Sequence, residues 1–582
     1  MKKSLVVILI LFIKVSLSAQ INLGVDYYRL GENQKARPYF EKELTTNPET
    51  ANFYLGEIAF AEGDTRKAES YYNSGLSANP ESIINQIGLA KLKLKSETKA
   101  AEAVFSSISK RNKKNVNVAI SIGRAYLDNG MFRNANSQVS AAKRINNKIP
   151  EIYILEGDII VAEDDVKKLG EAASKYEMSV YFDAEYGLGY VKGSNVYEYI
   201  NSTLAIDKLK TIIEKQPDYI IAYSYLGKLY TNNGFYPQAI DMYGRYFKSA
   251  SPSIEDTERY ARALYFSNIF EEAKVLVDKG LQKDPNHFVL NRYLMYINSK
   301  LNNFEEGKKA ADKFFTLRDA SGYIAQDHTA YGSLLKIPRL FDEAIAQYER
   351  AIELEPEKFE HYAEAAGIAR SKRDYALAAS YVNRMMVKKA ELADEPEFYN
   401  DDVIDINALG YDYYSAGATI ASARSAEIAQ ELMNNRNVTN ELLAANSSLI
   451  RDSLTNNLSY FTRNYALHFL NKADSVFDIL LEIIPDSYST YRFKALTKHA
   501  INTSPEVGLA KPYYEKVVEL IVDREDINPS AKRTLLLEAY VYLGYHYYMI
   551  SDKPNTVLYM DKVLEIDPEH ANAKAILADV NQ

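Results

Sequence analysis

The sequence contains no cysteine and no tryptophan. The missing cysteine excludes disulfides, thiolate metal sites, a cysteine nucleophile and a lipid-modified N-terminal cysteine. Histidine is scarce and scattered: His287, His328, His361, His468, His499, His546 and His570 form no HExxH and no i, i+4 pair. Nothing in that spacing points to a zinc site. No GxSxG elbow occurs, and GLGYVKG (187–193) has the wrong spacing for a phosphate-binding loop and follows no strand-like run; a close crossing of two helices accounts for its glycines. Asp164 with Asp165, and Asp401 with Asp402, lack the spaced ligands of a calcium loop. The chain therefore offers no catalytic centre, metal or cofactor to the reader of its sequence, and the expectation is a protein that is not an enzyme. A formal net charge of −9 disfavours broad nucleic-acid binding.

Long apolar runs are also absent, with one exception at the start. In MKKSLVVILILFIKVSLSAQ, Lys2 and Lys3 precede the unbroken run Val6 to Ile13, and small residues Ser16, Ser18 and Ala19 follow. This predicts a secretory signal over 1–19, cleaved after Ala19 or Ser18. Lys14 interrupts the run, which is too short to span a membrane, and no later segment approaches the ~20 apolar residues that a span needs. The mature chain is expected in the periplasm, or secreted, with no membrane span.

What the chain has in excess is tyrosine, 47 residues, and a ladder of small and aromatic residues recurring about every 34 positions. Gly332, Leu335, Ala344, Tyr348, Ala351 and Pro356 make one copy. Gly56, Ala59, Ala68, Tyr72, Gly75 and Pro80 make another, as do Gly24, Tyr27, Ala36, Phe40 and Pro48, and, near the end, Gly544, Tyr547, Val563 and Pro568. Gly and Ala let two helices approach; Tyr, Phe and Leu fill the space between them, at spacings of three and four that share one helical face. Proline, without an N–H, is expected to end the second helix. With no tryptophan available, tyrosines such as Tyr223, Tyr362 and Tyr540 take the large core role. A length of 582 residues without a clear domain break suits an array that grows by stacking neighbours.

The rungs resemble the tetratricopeptide repeat family, over roughly residues 20 to 580. The resemblance implies an all-α solenoid, a right-handed superhelix of antiparallel helix pairs whose first helices line a concave groove that holds a partner's peptide or helix. The expected organisation is an N-terminal array over 20–391, a hinge at the acidic, Pro-containing 392–402, and a C-terminal array over 403–582. That second array includes a divergent helix in the Asn- and Ser-rich 436–470 and a solvent-facing capping helix at 570–582.

A basic residue recurs on the non-packing face of successive first helices: Lys228, Arg262, Arg292, Lys336 and Arg370, joined by Tyr265 and Tyr296. Such a stripe would dock an acidic or C-terminal carboxylate-bearing segment of another protein; the bland reading is that Glu255, Glu258 and Glu360 neutralise it. The leading functional expectation is an exported interaction scaffold for envelope or secreted proteins. The alternative is a glycan, peptidoglycan or solute-binding protein that grips its ligand with Tyr411, Tyr413 and Tyr414 beside the hinge.

Overall fold

The computed structural model describes residues 21–581 except 164–165, 251, 320–321, 338, 393–399 and 423–448. Most of the expected hinge and the first part of the divergent segment thus lie outside the described residues, as does the expected signal. The described chain is helical hairpin after helical hairpin, without strands. It forms two compact units that divide between Leu301 and Asn302.

The first unit holds α1 (21–29), α2 (Asn33–Glu43), α3 (Pro48–Ala61), α4 (Thr65–Ala78), α5 (Ile83–Leu92), α6 (Thr98–Arg111), α7 (Val116–Leu127), α8 (Phe132–Ile145) and α9 (Pro150–Ala162). It continues with α10 (Leu169–Phe182), α11 (Gly187–Ile200), α12 (Ser202–Lys215), α13 (Ile220–Asn232), α14 (Tyr236–Ser249), α15 (Ile254–Phe266), α16 (Phe270–Lys283) and α17 (Phe288–Lys300). The second unit holds α18 (Phe304–Phe314), α19 (Ala325–Leu335), α20 (Phe341–Leu354), α21 (Phe359–Ser371), α22 (Tyr375–Leu392) and α23 (Asn400–Ser422). After the gap come α24 (Leu449–Ile483), α25 (Tyr488–Ile501), α26 (Lys511–Ile521), α27 (Pro529–Met549), α28 (Lys553–Ile566) and α29 (Ala571–Val580).

The ladder has a direct structural meaning. A first-helix glycine receives the ring of an aromatic from the second helix. A Cβ at Gly56 would stand 2.5 Å from the Tyr72 ring, and one at Gly332 would stand 2.7 Å from Tyr348. Tyr72, Tyr243 and Tyr348 are fully buried, as are Tyr223, Tyr362 and Tyr540 to 5 % exposure or less. Most of the tyrosine excess that these copies display is core.

One local expectation changes. Pro48 does not close a second helix but occupies the first turn of α3, where a missing N–H leaves no helical bond unmade. A single 3-10 turn, Val166–Lys168, precedes α10, while α11 and α12 are separated by Asn201 alone, whose side chain caps α12. GLGYVKG is the first two turns of α11, with Gly187 against Tyr219 and Gly189 against Ser179.

Candidate functional site

In the first unit the first helices carry a ladder of charge at repeat spacing: Glu57 on α3, Lys91 on α5, Arg124 on α7, Asp158 on α9 and Lys192 on α11. Neighbouring rungs neutralise each other. Lys91 lies 2.6 Å from Glu57 and 3.1 Å from Asp128, Arg124 lies 3.1 Å from Asp158, and Lys192 lies 2.8 Å from Asp158. Tyr72 and Tyr176 donate from behind, to Glu57 at 2.6 Å and Asp158 at 2.9 Å. Burial pushes the Asp158 carboxyl up, but Lys192 and Arg124 outweigh it and hold that carboxyl below its usual range.

The hairpin α1–α2 is seated on this face. Tyr28 donates to Glu57 at 3.0 Å, and Arg29 approaches Glu151, at the start of α9, to 4.0 Å. From the far end of the unit, Tyr219 donates to Asp26 at 2.9 Å and Tyr225 to Glu32 at 3.3 Å. The deepest anchor is Lys35, 2.8 Å from Asp256 at the start of α15. Asp256 also accepts from Ser224 and Tyr246, each at 3.2 Å, and closes a capping box with Ser253. Apolar packing continues the contact: Ile21, Tyr27, Ala36 and Phe40 share one core with Leu226, Leu229, Tyr243 and Tyr246.

Desolvation raises the Asp26 carboxyl to about 7 despite its bond from Tyr219. At Asp256 burial likewise pushes upward, and Lys35 with the backbone of Ser253 overcomes it, so this carboxyl stays below its usual range. A small polar cleft of about 140 Å³ remains between the hairpin and the array, lined in part by Glu32, Lys35, Asn195 and Lys228. This docking went unseen in the sequence. The signal available was the recurrence of charge at 57, 91, 124, 158 and 192 on the face expected to be an open groove.

The expected basic stripe divides between the units. In the first, Lys228 pairs with Glu198 at 2.9 Å, Arg262 is half-buried, and Arg292 lies 4.8 Å over the Phe288 ring. Tyr265 and Tyr296 are buried to 7 % and 4 %, ring against ring at 5.9 Å, rather than open on a groove. In the second unit Lys336 is ion-paired with Glu364. Arg370 forks onto the fully buried Asp412 at 2.9 and 2.7 Å. Of the tyrosines expected to form an adhesive pocket, Tyr411 is 40 % exposed, edge-on to Phe493 at 5.6 Å. Tyr413 is buried against Phe469, and Tyr414 is half-buried beside Phe493.

The second unit also carries an open groove of about 860 Å³ where α19, α20 and α21 meet, lined by Lys336, Ile337, Arg339, Phe341, Gly367 and Arg373 among others. Its floor is the α21 face of Glu364, Gly367, Ile368 and Ser371, at spacings of three and four. Among the described residues no helix is long and apolar enough to cross a membrane.

Residues 21–83 and 339–392 match the tetratricopeptide repeat family. A curated relative, human Protein O-mannosyl-transferase TMTC1, is 25 % identical over 162 residues, 28 % of this chain. The chain spans only 18 % of that relative's length. Among solved structures, the C-terminal part of a repeat-containing protein from Cytophaga hutchinsonii is 22 % identical, covering 55 % of this chain and 99 % of its own, with a TM-score of 0.36. A tetratricopeptide repeat protein from Parabacteroides merdae is 16 % identical, covering 43 % and 97 %, with a TM-score of 0.29. The two matched stretches are similar to tetratricopeptide repeats, and the glycine–aromatic hairpins that stack within each unit give the chain an all-α solenoid fold of that kind.

Proposed function

We propose that this chain is an exported, non-enzymatic scaffold that holds other proteins or peptides on its helical hairpins and so organises proteins of the cell envelope or secreted proteins. Tetratricopeptide repeats point to protein–protein interaction. The observation that carries the reading is the seating of α1–α2: the first-helix face of this array already receives a pair of helices, through tyrosine-to-carboxylate bonds, an ion pair and shared apolar packing. A partner's helix or extended segment would use the same currency of many modest contacts on a preformed surface.

Export is inferred from the first nineteen residues. Sequencing the mature N-terminus tests it: a start at Gln20 or Ala19 is expected, and retention of Met1 in envelope fractions ends this part of the reading. The scaffold itself is tested by photo-crosslinking the full chain in its native envelope and identifying the proteins attached. Failure to recover any reproducible protein partner overturns it. The glycan alternative retains the exposed ring of Tyr411; saturable binding of peptidoglycan fragments, abolished by Tyr411→Ala, would favour it over the scaffold.

A further inference from the structure

The turn between the two helices of most repeats holds a left-handed residue. In this chain glycine supplies it at 31, 63, 130 and 234, asparagine at 268 and 302, and serine at 551. Two consecutive copies depart from that pattern: Arg339 and Arg373 hold φ of 59° and 64°. A long branched cation is a poor occupant of that conformation, which glycine and asparagine adopt far more readily. Nothing in the turn itself rewards arginine. Among the described residues neither guanidinium is ion-paired, both are exposed, and both line the same 860 Å³ groove. Backbone conformations that cost stability persist where function uses them.

The groove has a definite chemistry. Lys336, Arg339 and Arg373 face its one acidic residue, Glu364, which Lys336 engages. The neighbouring carboxylates are occupied elsewhere, Asp342 by Lys372 and Asp374 by the Leu377 N–H in the first turn of α22. Ile337, 61 % exposed, and the edges of Phe341 and Ile368 add an apolar strip. Above Gly367 a Cβ would meet no atom within 4 Å, so the floor is open at the centre. A surplus of unpaired guanidinium beside exposed aliphatic surface is complementary to carboxylates flanking an aliphatic side chain.

We infer that this groove is a docking site for a short acidic segment of a partner protein, its carboxylates forked by Arg339 and Arg373 and an aliphatic side chain laid on Ile337. The inference rests on the scaffold reading and deepens it by naming the site and the class of partner.

The test uses the full chain and a short fluorescein-labelled peptide rich in Asp with a single Leu, followed by fluorescence anisotropy. The comparison probes are the same peptide with Asn for Asp, and a single-stranded oligonucleotide. The expected result is saturable, salt-sensitive binding of the acidic peptide, at least about tenfold tighter than either comparison probe. The informative variant is Arg339→Gly with Arg373→Gly. It restores the residue that the turn prefers, so it should melt at or above the wild-type temperature while binding the acidic peptide at least about tenfold more weakly. If that variant melts lower, Arg339→Asn with Arg373→Asn replaces it, since asparagine occupies the same turn at 268 and 302. Absence of binding by the wild type, equal binding of the Asn peptide, preference for the oligonucleotide, or an unaltered affinity in the variants would each overturn the site. Partners still recovered by crosslinking in that event would leave the scaffold standing and remove only the groove.

Discussion

The Lys35 ammonium sits 2.8 Å from the Asp256 carboxylate, joining α2 to α15, with 9 % and 0 % of the two residues exposed. Removing one member of such a pair strands the other charge in a place from which water is excluded. Lys35→Met should destabilise the first unit by about 3 kcal/mol, read from urea unfolding. Hydrogen exchange should rise selectively across 21–43. Adding Asp256→Asn, which keeps the capping geometry but discards the charge, should restore much of the loss. A loss confined to global stability, with no local change in the hairpin, would mean that the pair does not anchor it.

Asp26 carries the opposite sign. Its carboxyl is raised to about 7, so the stabilising contribution of its protonated form is fully present below about pH 4 and is lost as pH rises through 7. Asp158 and Asp256, held below their usual range, contribute stability above that range that is lost only on strong acidification. Between pH 5 and 8 the first unit should therefore weaken as protons leave Asp26. Asp26→Asn keeps an acceptor for Tyr219 and should flatten this slope, with the variant the more stable by about 2 kcal/mol at pH 8. Identical slopes for the two proteins would remove Asp26 from the account.

Gly332 tests the packing rule of the repeat. Its added methyl would lie 2.7 Å from Cε2 of the buried Tyr348 ring. Gly332→Ala should lower stability by about 1–3 kcal/mol despite the better helix propensity of alanine. The same change at Gly367, where nothing lies within 4 Å, should be neutral or slightly stabilising. Thermal unfolding of the two variants side by side decides; equal effects would show that ring contact is not what the glycine serves.

Arg370 was expected to meet a partner, yet its guanidinium is spent on Asp412. Burial raises the Asp412 carboxyl, and Arg370 works against that rise. Arg370→Glu should cost about 3 kcal/mol by opposing a buried carboxylate, and Arg370→Lys should cost less. Urea unfolding provides the measure. Charge reversal at this position consequently reports on folding as much as on binding, whereas the pair at Arg339 and Arg373 separates the two.

The fold was legible because its signal is local. Gly332 and Tyr348, or Gly56 and Tyr72, stand a fixed distance apart within one hairpin, and the pattern repeats. The charge partners were not legible for the converse reason. Lys228 finds Glu198 thirty residues back, Lys336 finds Glu364 twenty-eight ahead and Arg370 finds Asp412 forty-two ahead, each on a neighbouring repeat. Of the neutralisers suggested by proximity along the helix, Glu258 does feel the Arg262 charge, but Lys228, Lys336 and Arg370 pair elsewhere. The hairpin docking is further from reach, since Tyr27 and Tyr246 are 219 positions apart and no period connects them. The groove at Arg339 and Arg373 was hidden by convention: the turn position reads as glycine-like until its φ is known.

Because α2 is fastened to α15, the first unit departs from the independence that stacked repeats usually enjoy. An open array can fray or grow one hairpin at a time, each copy answering only to its neighbours. Here the earliest hairpin lacks its full set of contacts until residue 256 has been made, so it must wait, its tyrosines and carboxylates uncovered, through most of the unit's synthesis. Closing so long a loop slows folding and makes the closed unit open as a whole. Deleting any single repeat between 48 and 250 would thus do more than shorten the array; it would shift Asp256 out of register with Lys35 and leave the opening hairpin without a seat.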